Sequence, residues 1–189
     1  MSNIVTATVT IKGTRPFLWH AFGPDSIPLE KGERSGVAGN DPTEWKKTVR
    51  RTKEGQLYAT PEQVFGTLVN AARYTKQGRG SIQSNVQATL QVTDAIVLMD
   101  RWLRDDNPSI DYTEPVYLDV RSVVNPMTRG RNVRYRIAAS PNWQLTFHLL
   151  WDKTIVSRTQ MEAVIIDAGR LVGIGSGRRF ELVEFLVSE

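Results

Sequence analysis

Polar and apolar residues alternate in several stretches of the chain, and a period of two is the pattern of a β-strand with one buried face. In the first stretch, residues 1–12, Val5, Ala7, Val9 and Ile11 share one face that suits a core. Five further stretches have the residue pattern of strands. These stretches are 83–97, 116–124, 131–137, 144–151 and 180–187.

Two segments between the predicted strands carry the start signals of helices. In 60–63, a threonine can cap the helix, a proline follows at the first helical position, and a glutamine completes a capping box. Ser157 and Gln160 give the same signal later in the chain. We expect Gly169 to end this second helix in the left-handed conformation.

The predicted elements follow the order strand, long loop, helix, several strands, helix and strand. This order is typical of an α+β fold, and we expect a ferredoxin-like (RRM-like) antiparallel sheet with two helices on one face. The 189 residues fit a single domain spanning residues 1–189. The long inserted loop is 23–55, which is rich in glycine, proline and basic residues, and loops of this length are often functional.

Composition narrows the classes of function. Hydrophobic residues make up 40% and charged residues 23% of the chain, as in ordinary folded proteins. There is no cysteine, which excludes disulfides and thiolate metal sites and suits the reducing cytoplasm. We find no secretion signal or apolar stretch of membrane length, so we expect a cytoplasmic protein without membrane contact. The net charge of +4 permits a polyanionic partner, and we expect no metal and no cofactor.

The most conspicuous motif is the glycine-rich segment 173–179, GIGSGRR. A dinucleotide-binding fingerprint needs its glycines between a strand and a helix, whereas these glycines follow a helix and precede a strand. No Lys-Ser or Lys-Thr pair closes the segment, so it is not a phosphate loop of the nucleotide hydrolases. The segment is either a plain connection or a loop whose backbone and arginines contact phosphates. The candidate residues are Gly175, Ser176, Gly177, Arg178 and Arg179.

Other basic residues are also candidates for contact with a nucleic acid. Arg134 and Arg136 share one face of a predicted strand, which is either a track for phosphates or a solvated outer face. Trp45 and Tyr74 lie beside basic residues and are candidate platforms for base stacking. The basic residues after the first helix also complement the helix dipole. The candidates are Trp45, Lys46, Lys47, Arg50, Arg51, Arg73, Lys76, Arg131, Arg134 and Arg136.

The sequence offers little for catalysis. Its two histidines, His20 and His148, are far apart and stand in no triad or metal-binding spacing. His148 lies in the middle of a predicted strand, where we expect a structural role. His20 precedes Asp25, and such a pair can supply a general base with an acidic helper. These two residues are the catalytic candidates, and we expect that the chain is not an enzyme.

Three features resemble the RAMP superfamily of CRISPR-associated proteins, specifically its backbone-subunit branch. The segment 57–68, LYATPEQVFGTL, is similar to the family's strand, proline, and helix with a central Gly-x-Leu. The strand 146–151, the next helix and the segment 171–178, LVGIGSGR, resemble the family's glycine-rich loop before its last strand. The long excursion between the first strand and the first helix is similar to loops with which such subunits grip the guide.

The resemblance implies a ferredoxin-like core, oligomerisation along a guide RNA and contact with its sugar-phosphate backbone. Some members cleave target RNA with an acidic residue after the first strand, for which Asp25 is the nearest counterpart, and others use a histidine, here His20. The leading hypothesis is a non-catalytic RNA-binding backbone subunit of a CRISPR-type antiviral effector. Its expected partners are single-stranded guide RNA, a complementary target strand, copies of itself and other effector subunits.

Two other hypotheses stay open. The first is a phage or mobile-element protein that coats single-stranded DNA or builds a filament. The second is an RNA endonuclease of the RAMP type. A comparison of RNA and DNA affinity separates the first from the leading hypothesis, and a cleavage assay separates the second.

Overall fold

The computed structural model describes residues 3–20, 41–124 and 129–188. Its contacts divide the chain into two compact units, and each unit contains segments that are distant in sequence. No helix in this part of the chain is long and apolar enough to cross a membrane. Unit 1 includes the described residues of Met1–Phe17, Tyr58–Asp100 and Pro141–Glu189, and unit 2 includes those of Leu18–Leu57 and Arg101–Ser140.

Strands make up most of the regular structure, and four helices and a π-helical segment accompany them in the described residues. The strands are β1 (Ile4–Gly13), β2 (Phe17–Leu18), β3 (Gln56–Ala59), β4 (Lys76–Gln77), β5 (Gly80–Ser81), β6 (Gln91–Val92), β7 (Val97–Trp102), β8 (Val116–Val124), β9 (Arg131–Ala139), β10 (Gln144–Asp152) and β11 (Phe180–Ser188). The helices are α1 (Glu44–Thr48), α2 (Pro61–Ala71), α3 (Gln83–Thr89) and α4 (Arg158–Asp167), and the π-helical segment Ala168–Val172 follows α4.

The largest sheet has the strand order β11-β1-β10-β7-β3, and β6 also pairs with β10. β1 is a central strand, antiparallel to β10 on one side and to β11 on the other. Its alternate residues Val5, Ala7, Val9 and Ile11 are buried, as predicted. The order of β11, β1, β10 and β7, with α2 and α4 in the crossovers, is that of a ferredoxin-like fold. The predicted α+β class is therefore confirmed.

A second sheet has the strand order β2-β9-β8. β8 and β9 pair in antiparallel register from Val116 to Val124 of β8. The strands predicted at 116–124 and 131–137 are confirmed, and β9 continues for two residues beyond its predicted end. β4 and β5 form a separate two-stranded hairpin in unit 1.

Both predicted helix starts are confirmed. The Thr60 hydroxyl accepts a hydrogen bond from the Gln63 backbone N–H at 3.4 Å, and the Gln63 side chain accepts one from the Thr60 N–H at 3.0 Å. Ser157 and Gln160 form the same reciprocal pair at 3.2 and 2.9 Å. These capping boxes satisfy N–H groups that have no partner inside the helix.

The strand predicted over 83–97 is wrong in its first half, because residues 83–89 form α3. Ile82, Val86 and Leu90 are all buried, and their spacing of four places them on one side of a helix. The alternation of polar and apolar residues around them obscured this helical period. Strand structure in the segment is limited to β6 and the start of β7.

The prediction that Gly169 ends the second helix is also wrong. The π-helical segment continues the helix, and Gly173, with a φ of 84°, ends it. Gly169 has a packing role instead, since a Cβ at this position would lie 2.2 Å from the carbonyl oxygen of Phe180. This glycine therefore marks the close approach of β11 to the helix rather than a helix end.

The structure describes only the later part of the predicted insertion 23–55. Residues 23–40, including the catalytic candidate Asp25, lie outside the described residues. In the later part, α1 carries three buried residues, Glu44, Trp45 and Thr48, which are 7%, 4% and 1% exposed. This part of the insertion therefore packs as a component of unit 2.

Candidate nucleic-acid interface

The glycine-rich segment forms a closed turn in unit 1, which we call the glycine turn (Ile174–Arg178). Ile174 and Arg178 exchange two backbone hydrogen bonds of 2.8 Å each. The residues between them have positive φ angles, 55° at Gly175, 65° at Ser176 and 73° at Gly177. The left-handed conformation costs a serine free energy, so the surroundings hold Ser176 in place. Strain of this kind is concentrated at sites where a backbone contacts a ligand.

Packing beneath the glycine turn explains why position 175 is a glycine. A Cβ on Gly175 would lie 2.5 Å from the ring of Phe17. The Phe17 ring meets the Trp143 ring edge-on with centroids 5.3 Å apart, and the Trp143 indole N–H donates to the Arg15 carbonyl at 2.8 Å. Both rings are fully buried. The glycine turn therefore rests directly on the core of unit 1.

The glycine turn and the adjoining Arg179 present hydrogen-bond donors that no described residue uses. The backbone N–H groups of Gly175, Ser176 and Gly177 make no hydrogen bond to a described residue. The same is true of Arg178 Nε and Arg179 Nη1, although both atoms are buried. A buried donor without a partner costs free energy, which a bound acceptor would recover. Successive N–H groups in such turns form concave anion sites, so this surface suits a phosphate.

In unit 2, Arg134 is held by a carboxylate. Its Nη1 lies 2.5 Å from Oε1 of Glu44, and the two side chains are only 17% and 8% exposed. The other oxygen of Glu44 accepts a hydrogen bond from the Tyr135 backbone N–H at 3.2 Å. This ion pair fixes the side chain of Arg134 to α1, so Arg134 does not line an open track in this structure, and its contact with a nucleic acid stays a prediction.

Arg136 and His20 lie close to this ion pair. Burial lowers the pKa of His20, the positive charges of Arg136 and Arg134 lower it further, and Glu44 opposes them. His20 is therefore neutral at pH 7 and can accept a proton, as a general base must. However, the nearby carboxylate of Glu44 is already bonded to Arg134 and to a backbone N–H.

Arg131 and Arg121 contrast in their surroundings. Arg121 lies opposite Arg134 in the register of β8 and β9, an arrangement of like charges that is unfavourable by itself. Asp119 relieves it, since its Oδ1 accepts a hydrogen bond from Arg121 Nε at 2.7 Å. Arg131, at the start of β9, is exposed. Arg131 is therefore the predicted cation on this strand that solvent reaches most readily.

Two other basic candidates of unit 2 share one carboxylate. Lys46 Nζ and Arg51 Nη2 lie 3.5 and 2.5 Å from the oxygens of Asp106. The hydrogen bond and the positive charge of Arg51 lower the pKa of Asp106, so this carboxylate stays charged at neutral pH. Lys47 and Arg50 are half-buried. Ion pairs therefore reduce the positive charge that this part of the insertion offers to a polyanion.

The two aromatic candidates differ in exposure. Trp45 is buried, and the Lys46 ammonium lies 5.6 Å from its ring centroid. Its ring is therefore not accessible for stacking in this structure, and its role in binding stays a prediction. Tyr74 is 45% exposed, and the Arg73 guanidinium lies over its ring at 5.6 Å. Arg73 and Lys76 are exposed beside it.

The outward face of the large sheet is rich in carboxylates. The register places Thr6, Thr8 and Thr10 of β1 on this face, opposite the buried side. The outward positions of β1, β10 and β11 carry no phenylalanine, tyrosine or tryptophan, although they include the imidazole of His148. Five carboxylates lie on or beside the face, together with one lysine. They are Asp94, Asp100, Asp152, Glu181 and Glu184, and the lysine is Lys12.

A histidine–carboxylate pair on this face was missed by the sequence analysis. Asp94 accepts hydrogen bonds from the His148 backbone N–H at 2.6 Å and contacts the ring Nδ1 at 2.9 Å. The partners are 54 residues apart, so no local spacing indicated the pair. It anchors the segment before β7 to β10, which supports the predicted structural role of His148. The described residues include no group of three or more side chains that could hold a metal ion.

The candidate residues are divided between the two units, and their surroundings differ. Among those of unit 2, Lys46, Arg51 and Arg134 have carboxylate partners. In unit 1, the glycine turn combines three successive backbone N–H groups with nitrogens of Arg178 and Arg179, and none of these donors has a hydrogen-bond partner among the described residues. This combination makes it the best anion site. The candidates of unit 1 are Arg73, Lys76, Gly175, Ser176, Gly177, Arg178 and Arg179, and those of unit 2 are His20, Trp45, Lys46, Lys47, Arg50, Arg51, Arg131, Arg134 and Arg136.

Comparison with known proteins gives a likeness in fold. No family model and no curated protein matches the sequence, whereas 74 chains of solved structures match. One belongs to the cryo-EM structure of the Type III-B Cmr-beta bound to cognate target RNA, with 12% sequence identity and a TM-score of 0.51. The match covers 98% of this chain and 61% of that chain, so this protein spans less than two thirds of its neighbour. At this identity, the likeness is one of fold alone.

Proposed function

We propose that this chain is an RNA-binding subunit of a CRISPR-type effector complex and holds a single strand by its sugar-phosphate backbone. The observation that carries the proposal is the glycine turn with the adjoining Arg179. Three backbone N–H groups and two arginine nitrogens there have no hydrogen-bond partner among the described residues. The resemblance to RAMP backbone subunits points to a guide RNA as the ligand. The fold shared with a chain of the Cmr-beta structure, which is bound to target RNA, supports the same class of partner.

The acidic sheet face supports this choice of surface. RNA-recognition domains stack bases on aromatic residues of their open sheet. Here the outward positions of β1, β10 and β11 offer only the imidazole of His148, which contacts Asp94, and the exposed Trp102 shares the outward face of β7 with Asp100. The five carboxylates on and beside this face would repel phosphates. We therefore place the RNA at the glycine turn and not on the sheet, although the topology is that of an RRM-like fold.

Removal of the two arginine charges at the glycine turn tests the proposal. In the double variant Arg178→Gln/Arg179→Gln, we expect weaker binding of single-stranded RNA and a shallower dependence of affinity on salt. Each lost phosphate contact should reduce the slope of log affinity against log salt by about 0.7. Filter binding over a series of salt concentrations measures both quantities, and the same titration with DNA of equal sequence separates the single-stranded-DNA hypothesis.

Arg158→Gln provides the matched control. Arg158 is an exposed arginine in the first turn of α4, and its loss removes an unfavourable charge at a helix N-terminus. We expect RNA affinity close to that of the wild type. Equal affinities and equal salt slopes for the wild type, the double variant and Arg158→Gln would contradict the proposed site. Absence of RNA binding by the wild type at low salt would contradict the proposed function.

We also propose that the chain binds RNA without cleaving it and that several copies line the same guide. The non-catalytic role is supported by Glu44, the carboxylate beside His20, because both of its oxygens are engaged. Multiple copies follow from the resemblance to backbone subunits. Sedimentation with RNA of increasing length should then show complexes whose mass rises in steps of one chain.

A cleavage assay tests the non-catalytic role. We expect end-labelled RNA to stay intact with the wild type and with His20→Ala, because the neutral imidazole lacks an available acidic helper among the described residues. Denaturing gels after long incubation, with and without Mg²⁺, are the measurement. Products formed by the wild type and lost in His20→Ala would establish the endonuclease hypothesis instead.

A further inference from the structure

The hairpin that follows α2 combines an exposed aromatic ring with concentrated positive charge. We define the basic hairpin as residues 73–81, RYTKQGRGS, which contain three basic and no acidic residues. The basic side chains of Arg73, Lys76 and Arg79 are all exposed. The proposed function does not explain the tyrosine at position 74, because it assigns only phosphate contacts to the glycine turn.

The basic hairpin is held firmly at both ends. The backbone N–H of Tyr74 donates to the Ala71 carbonyl at 2.9 Å, which ties the start of the hairpin to the last turn of α2. At its end, the N–H of the buried Ile82 donates to the Thr75 carbonyl at 3.1 Å. Asn85 of α3 also donates from its amide to the Gln77 side chain at 3.1 Å. A ring on such a support loses little freedom when it binds a ligand.

Arg73 holds one face of the Tyr74 ring. Its Nε donates to the Asn70 carbonyl at 2.8 Å and its Nη2 contacts the Asn70 side chain at 3.3 Å, so the guanidinium is anchored on α2. From there it lies over the ring at 5.6 Å, a cation–π contact. The ring has no aromatic neighbour among the described residues and remains 45% exposed. The ring therefore keeps exposed surface that a planar ligand can contact.

We propose that Tyr74 is a base-stacking site for single-stranded RNA and that Lys76 and Arg79 contact the adjoining phosphates. An exposed ring beside clustered cations is the arrangement by which proteins bind single strands without reading their sequence. Stacking on every kind of base is possible, since each base has a π face. This inference rests on the proposed function, and it names a contact to the bases where the glycine turn contacts the backbone.

A comparison of RNA probes with and without nucleobases tests the inference. The probes are an oligouridine and an abasic oligomer of the same length and charge, each titrated by fluorescence anisotropy. We expect Tyr74→Ala to bind the oligouridine about tenfold more weakly and the abasic oligomer as tightly as the wild type does. Tyr74→Phe, which keeps the ring, should restore wild-type affinity. The salt slope should be unchanged in Tyr74→Ala, because stacking releases no counterions.

Tyr112→Ala is the matched control. Tyr112 is also exposed, at 56%, but its neighbours Asp111 and Glu114 are acidic, so its loss should not alter the binding of either probe. Wild-type affinity of Tyr74→Ala for the oligouridine would overturn the inference, and so would an equal loss on both probes. If Arg178→Gln/Arg179→Gln weakens both probes in the same experiment, the proposed function stands even when the stacking site fails. Failure of the wild type to bind either probe would overturn both.

Discussion

Trp143→Ala is expected to lower the free energy of unfolding by about 3–5 kcal/mol. The side chain is fully buried, and the variant loses its edge-on contact with Phe17 and the hydrogen bond to the Arg15 carbonyl. The surroundings cannot close over the cavity easily, because Gly13 lies against the indole: a Cβ there would be 1.9 Å from the ring. Urea unfolding followed by circular dichroism measures the change.

The same substitution should weaken RNA binding indirectly. Phe17 supports Gly175, so a cavity beside Phe17 loosens the support of the glycine turn. Trp102→Ala is the control, since Trp102 is 46% exposed and should cost about 0.5 kcal/mol or less. If Trp143→Ala and Trp102→Ala unfold at the same urea concentration, the ring of Trp143 does not support the core as described.

The fold was predictable where one local pattern determined one element. The alternation in β1 was sufficient to predict the strand, and the capping boxes at Thr60 and Ser157 were sufficient to predict the starts of two helices. Each of these signals depends on neighbours within a few residues. The helix α3 was missed because its apolar positions, spaced by four, lie within a stretch that also alternates. At Gly169, the decisive neighbour was Phe180, whose carbonyl oxygen excludes any Cβ. Such contacts are not visible in a local window.

The candidate site was predictable in part for the same reason. The glycine turn follows from its own sequence, since consecutive left-handed residues favour glycine. In contrast, the accessibility of Arg134 depends on Glu44, which is 90 residues away, and that of Arg51 depends on Asp106. A count of basic residues therefore overestimated the charge available to a polyanion. Which cations have carboxylate partners is a property of the fold, and it changes the choice of binding surface.

The ion pair between Arg134 and Glu44 leads to the second large prediction. Glu44→Ala should lower the stability of unit 2 by about 3–5 kcal/mol, because it leaves a largely buried guanidinium without its carboxylate. The backbone N–H of Tyr135 also loses its acceptor. Asp106→Ala is the control, since Asp106 is 57% exposed and its pair with Arg51 should contribute about 1 kcal/mol or less. Hydrogen exchange of the β9 amides, compared between the two variants, measures the difference.

A second substitution distinguishes the loss of an ion pair from the loss of packing. If the cost arises from the buried charge, Glu44→Leu/Arg134→Leu should recover much of the stability lost in Glu44→Ala, because no unpartnered ion remains. If α1 is held mainly by the packing of Trp45, the double variant should gain nothing over Glu44→Ala. RNA affinity should be unchanged in the double variant, since the ion pair already keeps Arg134 from an RNA phosphate. A loss of RNA affinity in a double variant that remains folded would assign Arg134 to the interface after all.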